Sequence, residues 1–277
     1  MTLRIATLNI WNKSGPWLRR LELIRSELAR SRLNVLGLQE VLRMDRGGVV
    51  TDETCQATEI GGALGYQVAY GAAADYGGGL HFGNALLSRH PIVSSRTLPL
   101  PGRESGETRS LLYALVDSPF GQLPVFVTHL NWKLHHGNYR LAQVKFIVEQ
   151  IFELCPIDET KLPPVLMGDF NADPDSDEIR YLRGLATLDG SSVYFADAWS
   201  YGGDGTPGYT FDRKNAFAAL AHEPPRRIDY IFSRGPDRSF RGEPLTTRLA
   251  FCDEAGGIWP SDHFGLTTEL AAEPRST

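Results

Sequence analysis

The sequence predicts an α/β protein built of packed layers. Strand-like and helix-like segments alternate through the first half of the chain, strands separated by long loops dominate the second, and no linker or repeat divides the two. At 277 residues with 42% hydrophobic side chains, the chain is long enough to bury a large core. One domain is therefore expected over 1–277, with its core at about 3–270.

Each element has its own signal. Alternation through "LRIATLNI" predicts a first strand over 3–10. Ser14-Gly15-Pro16 is a helix start, since proline suits a first turn, and Trp17, Leu21, Ile24 and Leu28 then recur on one face. Short apolar runs predict strands over 34–38, 83–88, 110–116 and 123–129. A second helix begins near Asn138 and carries a stripe of Leu141, Val144, Ile147, Val148, Ile151 and Phe152. A strand over 165–168, a short helix after Pro174, and strands over 228–233 and 264–270 complete the series. Residues 43–53, 71–82, 99–108 and 200–225 are polar or Gly-rich and read as loops, the last three covering one edge of the sheets.

Composition narrows the partners. A net charge of −5 creates no global basic field, which argues against tight, purely electrostatic binding of polyanions but leaves local basic pockets open. Cys55, Cys155 and Cys252 are far apart and form neither a metal-binding CxxC nor a disulfide framework, as in a reduced compartment. Met1-Thr2 leads straight into a strand without signal-peptide character. No apolar run approaches the roughly 20 residues that span a bilayer. The expectation is a cytoplasmic monomer with no stable membrane association.

The chemistry lies where strands end. "RIATLNIW" presents Asn9, "VLGLQEV" presents Glu40, and "VFVTHLNW" presents His129. "VLMGDFNA" presents Asp169 and Asn171, "RRIDYIF" places Asp229 within an apolar run, and "WPSDHFGL" sets Asp262 and His263 before the last strand. A buried carboxylate is costly unless paired, hydrogen-bonded or bound to metal, so this many polar strand ends imply one shared site. Carboxylate and carboxamide oxygens suit a hard cation, Mg²⁺ or Mn²⁺, better than zinc. No serine or cysteine sits in a nucleophile motif. Water attacking a metal-bound phosphate ester is the chemistry that fits.

In this order, "TLN", "LGLQE", "VTHLNW", "GDFNADP", "RRIDYIF" and "SDHFGL" resemble the endonuclease/exonuclease/phosphatase superfamily, the group of deoxyribonuclease I, abasic-site endonucleases, bacterial sphingomyelinases, inositol polyphosphate 5-phosphatases and deadenylases. The resemblance implies a four-layer α/β sandwich, two mixed β-sheets packed face to face with helices outside. It implies that Asp169 orients or deprotonates the attacking water and that Asn171 donates to that water or to a phosphate oxygen. Glu40 resembles the principal metal ligand, helped by Asn9 and Asp262. His263 would face the phosphate, with Asp229 fixing its tautomer. His129 resembles the second histidine of the deoxyribonuclease I and sphingomyelinase branches, where abasic-site endonucleases carry tyrosine. Arg109 stands where relatives place a basic phosphate contact.

The implied activity is Mg²⁺- or Mn²⁺-dependent hydrolysis of phosphodiesters, with nucleic acid the leading substrate class. Phospholipid head groups and inositol or sugar phosphates remain alternatives, as does an inactive binding domain on the same fold. "GYTFDRKNAF…RRIDYIF" resembles a bacterial branch described only as metal-dependent hydrolases. Ordinary readings stand beside these. Asp169 to Asp173 could form a turn, and His135-His136 reads as solvated surface. Arg140 and Gln143 read as supports of the His129 loop, and Asn84 as a strand-entry residue. Trp132, Trp199, Tyr209 and Phe211 read as core more readily than as stacking platforms. Arg213-Lys214 and Arg226-Arg227 form the best local basic patch, or a plain solvated surface.

Overall fold

The computed structural model describes residues 1–45 and 55–274. Its strands are β1 (Thr2–Asn9), β2 (Val35–Met44), β3 (Gln67–Asp75), β4 (Leu80–Ser88), β5 (Ile92–Pro99), β6 (Ser110–Ser118), β7 (Gly121–His129), β8 (Val165–Asp169), β9 (Ala196–Asp197), β10 (Asp229–Ser233), β11 (Pro244–Ala250) and β12 (Gly265–Ala271). The α-helices are α1 (Trp17–Ser31), α2 (Gln56–Gly61), α3 (Gly137–Leu154), α4 (Asp177–Leu182) and α5 (Ala198–Gly202). One sheet runs β11-β12-β1-β2-β4-β3 and the other β5-β6-β7-β8-β10-β9. Both are mixed, because β1 pairs with β2 and β7 with β8 in parallel while the other pairings are antiparallel.

Alternation along the strands assigns each side chain to a layer. Leu3, Ile5 and Val35 of one sheet bury against Leu123, Val125, Val127, Val165, Met167 and Ile231 of the other, forming the central core. The opposite parity of β1 and β2, Ala6, Leu8, Leu36 and Leu38, packs against Trp17, Leu21, Ile24 and Leu28 of α1. Phe126, Leu166 and Phe232 face Val144, Ile147, Val148 and Ile151 of α3. Helix, sheet, sheet and helix thus form the four expected layers, and burying each such aliphatic side chain contributes about 1.5–3 kcal/mol.

Four strands escaped the sequence reading, β3, β5, β9 and β11, and these are the four edges of the two sheets. An edge strand is paired on one side and wetted on the other, so its apolar alternation is weak. The loop expected over 71–82 is the clearest correction. Gly71-Ala72-Ala73-Ala74-Asp75 carries no apolar alternation, yet it forms the end of β3 and pairs with β4 across a turn at 76–79. Of the loop expected over 43–53, residues 43 and 44 close β2, and 46–53 lie outside the described residues. α3 follows its predicted stripe at Val144, Ile147, Val148 and Ile151, while Leu141 is half-buried and Phe152 is 41% exposed and lies under the Arg234 guanidinium. No helix among the described residues is long and apolar enough to cross a membrane.

Candidate active site

Strand parity delivers the polar residues to one place. Asn9 continues the core-facing series Leu3, Ile5 and Thr7; His129 follows Leu123, Val125 and Val127; Asp169 follows Val165 and Met167; Asp229 precedes Ile231. Each therefore caps the central core at the same end of the paired sheets, and His129 and Asp229 both stand in register with Asp169. Glu40 has the wrong parity. A bulge between Leu38 and Val41 and a left-handed φ of 60° at Glu40 turn its side chain back toward the cleft. Backbone of that kind costs a non-glycine residue about 1–3 kcal/mol, so the surrounding structure must hold it. Gly168 has a simpler reason to be glycine: its φ is 146° and a Cβ there would lie 1.9 Å from the Thr128 carbonyl oxygen.

Eight of the nine residues singled out in the sequence line one cleft of about 530 Å³: Asn9, Glu40, Arg109, His129, Asp169, Asn171, Asp262 and His263. The ninth, Asp229, is fully buried behind His263, whose Nδ1 lies 2.8 Å from Asp229 Oδ2. Asp169 is the hub. Its Oδ1 accepts the Asn171 amide hydrogen at 2.9 Å, and its Oδ2 accepts from Asn9 Nδ2 at 3.0 Å. The Nε2 atoms of His129 and His263 lie 3.5 and 3.8 Å from the same Oδ2. Asn9 also donates to Glu40 Oε1 at 3.3 Å, and Asn12 donates to Glu40 Oε2 at 3.0 Å. Asn171 spends one amide hydrogen on the Leu130 carbonyl.

The two histidines are driven apart. Burial depresses His129, and the Arg109 and His263 cations depress it further, leaving it neutral. Arg109 Nη1 lies 3.2 Å from His129 Nδ1; a guanidinium only donates, so Nδ1 accepts and the proton resides on Nε2, facing Asp169. Burial opposes charge at His263 too, but Asp229, Asp169 and Asp262 outweigh it and hold the ring well above the ordinary imidazole range. Burial, then Asp229, push Asp169 up to about 7. Burial, reinforced by Glu40 against the opposing His263, pushes Asp262 up to about 6.

Some side chains went unnoticed in the sequence. Arg20 on α1 is fully buried and donates to the carbonyls of Ile10, Asn12, Ser14 and Pro260, tying the segment after β1 to the one carrying Asp262. Asn215 donates to the carbonyls of Ser261 and Asp262. Glu107 holds Arg109 through Nε and Nη2 at 3.2 and 2.8 Å. Arg20 breaks the apolar face of α1 beside Leu21 and Ile24, and that was its available signal; Asn215 and Glu107 had none.

Other readings change. Arg226 pairs with Asp173 and Glu223, and Arg227 grips Asp197 through two nitrogens, so both are buried structural cations rather than a free basic patch. His136 is buried against Asn131 and Glu107, not solvated, while His135 is exposed. Trp132 is 53% exposed and lines the cleft instead of joining the core, whereas Phe211 is a buried wall residue beside His263. Arg140 and Gln143 do support the segment after His129, bonding the Asn131 carbonyl, backbone nitrogen and side chain. Asn84 bonds the Ser110 carbonyl between the sheets.

Comparison with known proteins meets this geometry. Protein angel homolog 1 of Rattus norvegicus is 28% identical over 184 residues, 61% of this chain and 27% of that protein, so the chain spans about a quarter of its length. The crystal structure of truncated Caenorhabditis elegans TDP2 superposes with a TM-score of 0.74 at 20% identity, covering 98% of each chain. D. rerio TDP2, crystallised with a single-strand DNA product, gives 0.74 at 22%, covering 97% of this chain and 98% of the other. At such identities these two structures establish the fold alone. The sequence model of the endonuclease/exonuclease/phosphatase family matches residues 6–263, from within β1 through His263. On that match the chain belongs to the endonuclease/exonuclease/phosphatase family.

Proposed function

We propose that the chain hydrolyses phosphodiesters with a bound Mg²⁺ or Mn²⁺, and that nucleic acid is its leading substrate class. The observation that carries this reading is the convergence of the His129 and His263 Nε2 atoms, at 3.5 and 3.8 Å, on one carboxylate, Asp169, in the cleft that Glu40 and Asp262 also line; burial and Arg109 lower His129, while Asp229 and Asp169 raise His263. Pairs of groups pushed apart in this way provide both donors and a base at neutral pH.

The donor set fits a hard cation. Glu40, Asp262 and Asn9 offer oxygen atoms, and the Glu40 charge opposes ionisation of Asp262, a repulsion that a divalent ion relieves. Asp169, Asp229 and His263 also place donor atoms within 4.8 Å of one another. His263 Nδ1 is already engaged by Asp229 there, so we assign that group to proton handling and the cation to Glu40, Asp262 and Asn9. When bound, the cation neutralises the phosphate and stabilises the leaving oxygen.

The chain's own residues supply the rest. Asp169, held by Asn9 and the Asn171 backbone, takes a proton from water as the oxygen attacks phosphorus. The bond to the leaving oxygen breaks on the opposite side. His263 keeps its charge through Asp229 and donates from Nε2, and neutral His129 donates from its own Nε2 to a phosphate oxygen. Asn171 adds its second amide hydrogen, and Arg109 adds positive charge tempered by Glu107. Donors aimed at developing charge are each worth about 3–4 kcal/mol of barrier. The family assignment and the D. rerio TDP2 complex with its DNA product support nucleic acid.

Turnover of bis(p-nitrophenyl) phosphate with Mg²⁺ or Mn²⁺, abolished by EDTA, tests the chemistry. A panel of plasmid DNA, single-stranded RNA, sphingomyelin and inositol polyphosphates tests the substrate class. Silence of metal-replete protein on every diester overturns the activity; a preference for sphingomyelin or inositol phosphates overturns the substrate.

A further inference from the structure

The cleft is poorly equipped to hold a polyanion by charge. Among the described residues Glu40, Glu107, Asp169, Glu223 and Asp262 line it, and its cations, Arg109 and His263, are already paired with Glu107 and Asp229. A divalent ion offsets part of that excess and leaves little among these residues for a run of phosphates, whose binding normally rests on Lys and Arg. Uncharged contacts can add the affinity that these charges do not supply.

Two aromatic side chains offer them. Trp132, beyond the end of β7, is 53% exposed, and Tyr76, in the turn between β3 and β4, is 60% exposed; both line the cleft. They come from different sheets, and the Trp132 backbone nitrogen donates to Glu107 Oε2 at 3.2 Å. The backbone under Trp132 is rigid, since Asn131 is held by Gln143, Ser105 and the Arg140 guanidinium. Phe82 continues the wall from Tyr76 to His129, with ring centroids 5.8 and 6.3 Å apart in turn. A wetted indole on a fixed backbone is a stacking platform awaiting a π-face. In a duplex those faces are buried against neighbouring bases, so an unstacked base is required.

Resting on the proposed nucleic-acid reading, we infer that Trp132, assisted by Tyr76, forms a nucleobase-stacking subsite beside the scissile phosphate that takes an unstacked, single-stranded base. Recognition is then tolerant of sequence, since every base has a face to stack.

The test crosses two changes. Short single-stranded oligonucleotides, identical except that one has an abasic residue next to the scissile phosphate, are given to the wild type, Trp132→Ala and Trp132→Phe with Mg²⁺. The wild type should favour the base-bearing strand in kcat/KM by about five- to a hundredfold. Trp132→Ala should collapse that preference to near unity through KM, and Trp132→Phe should retain most of it. Fluorescence anisotropy on the same strands reads the preference without turnover. Base-dependent binding without hydrolysis would keep the subsite and sink the phosphodiesterase reading. An equal preference in wild type and Trp132→Ala, by rate and by binding, overturns the subsite.

Discussion

Asn9 and Asp169, 160 residues apart in sequence, are joined by a hydrogen bond of 3.0 Å from Nδ2 to Oδ2. The bond closes the cleft end of the central core by linking the last residue of β1 in one sheet to the last residue of β8 in the other. It ties the proposed base to the side chain that also touches Glu40, the proposed cation ligand.

Asp169→Asn should separate function from stability. It keeps the acceptor for the Asn171 amide and removes the base, so turnover should fall at least about a hundredfold. Stability should lose its dependence on this carboxyl. The carboxyl is held at about 7, above its ordinary range, so its contribution is fully present at low pH and is lost as pH rises toward and through that value. In EDTA the Tm gap, wild type minus variant, should therefore be widest near pH 4 and narrow toward pH 8. A wild-type rate, or a gap that does not change between those pH values, would contradict the role.

The histidines should titrate far apart. Long-range ¹H–¹⁵N spectra should show His263 still protonated above the ordinary imidazole range and His129 still neutral below it. Asp229→Asn should bring the His263 midpoint down and move the alkaline limb of the pH–rate profile to lower pH. Two midpoints near that of a free imidazole would defeat the assignment.

Glu40→Gln should act on the cation. The Mn²⁺ concentration that half-saturates thermal stabilisation should rise by at least about tenfold, while activity at saturating metal recovers in part. An unchanged titration removes Glu40 from the ligand set.

Arg20→Met should cost about 3 kcal/mol of stability, because it leaves the carbonyls of Ile10, Asn12, Ser14 and Pro260 without their donor. Chemical denaturation measures that loss. Mn²⁺ affinity should weaken alongside it, since Asn12 and Asp262 lose their common anchor. Unaltered affinity would confine Arg20 to a structural role.

What the sequence determined by itself was whatever depends on short-range periodicity. Apolar runs named the interior strands, and the polar residues at their ends singled out Asn9, His129 and Asp169. Four edge strands fell outside that reach because one-sided pairing leaves no clean pattern. Glu40 was legible as a strand-end carboxylate, but not how it reaches the site, since its parity points away and a bulge corrects it.

Tertiary structure alone decided how the charges are spent. Arg226 and Arg227 are consumed by Asp173, Glu223 and Asp197, and His129 is neutral while His263 is charged. Trp132 reaches the cleft although the sequence reading favoured the core over a stacking role. Ionisation and exposure are set by burial and by neighbours distant along the chain, and a local pattern holds no record of either.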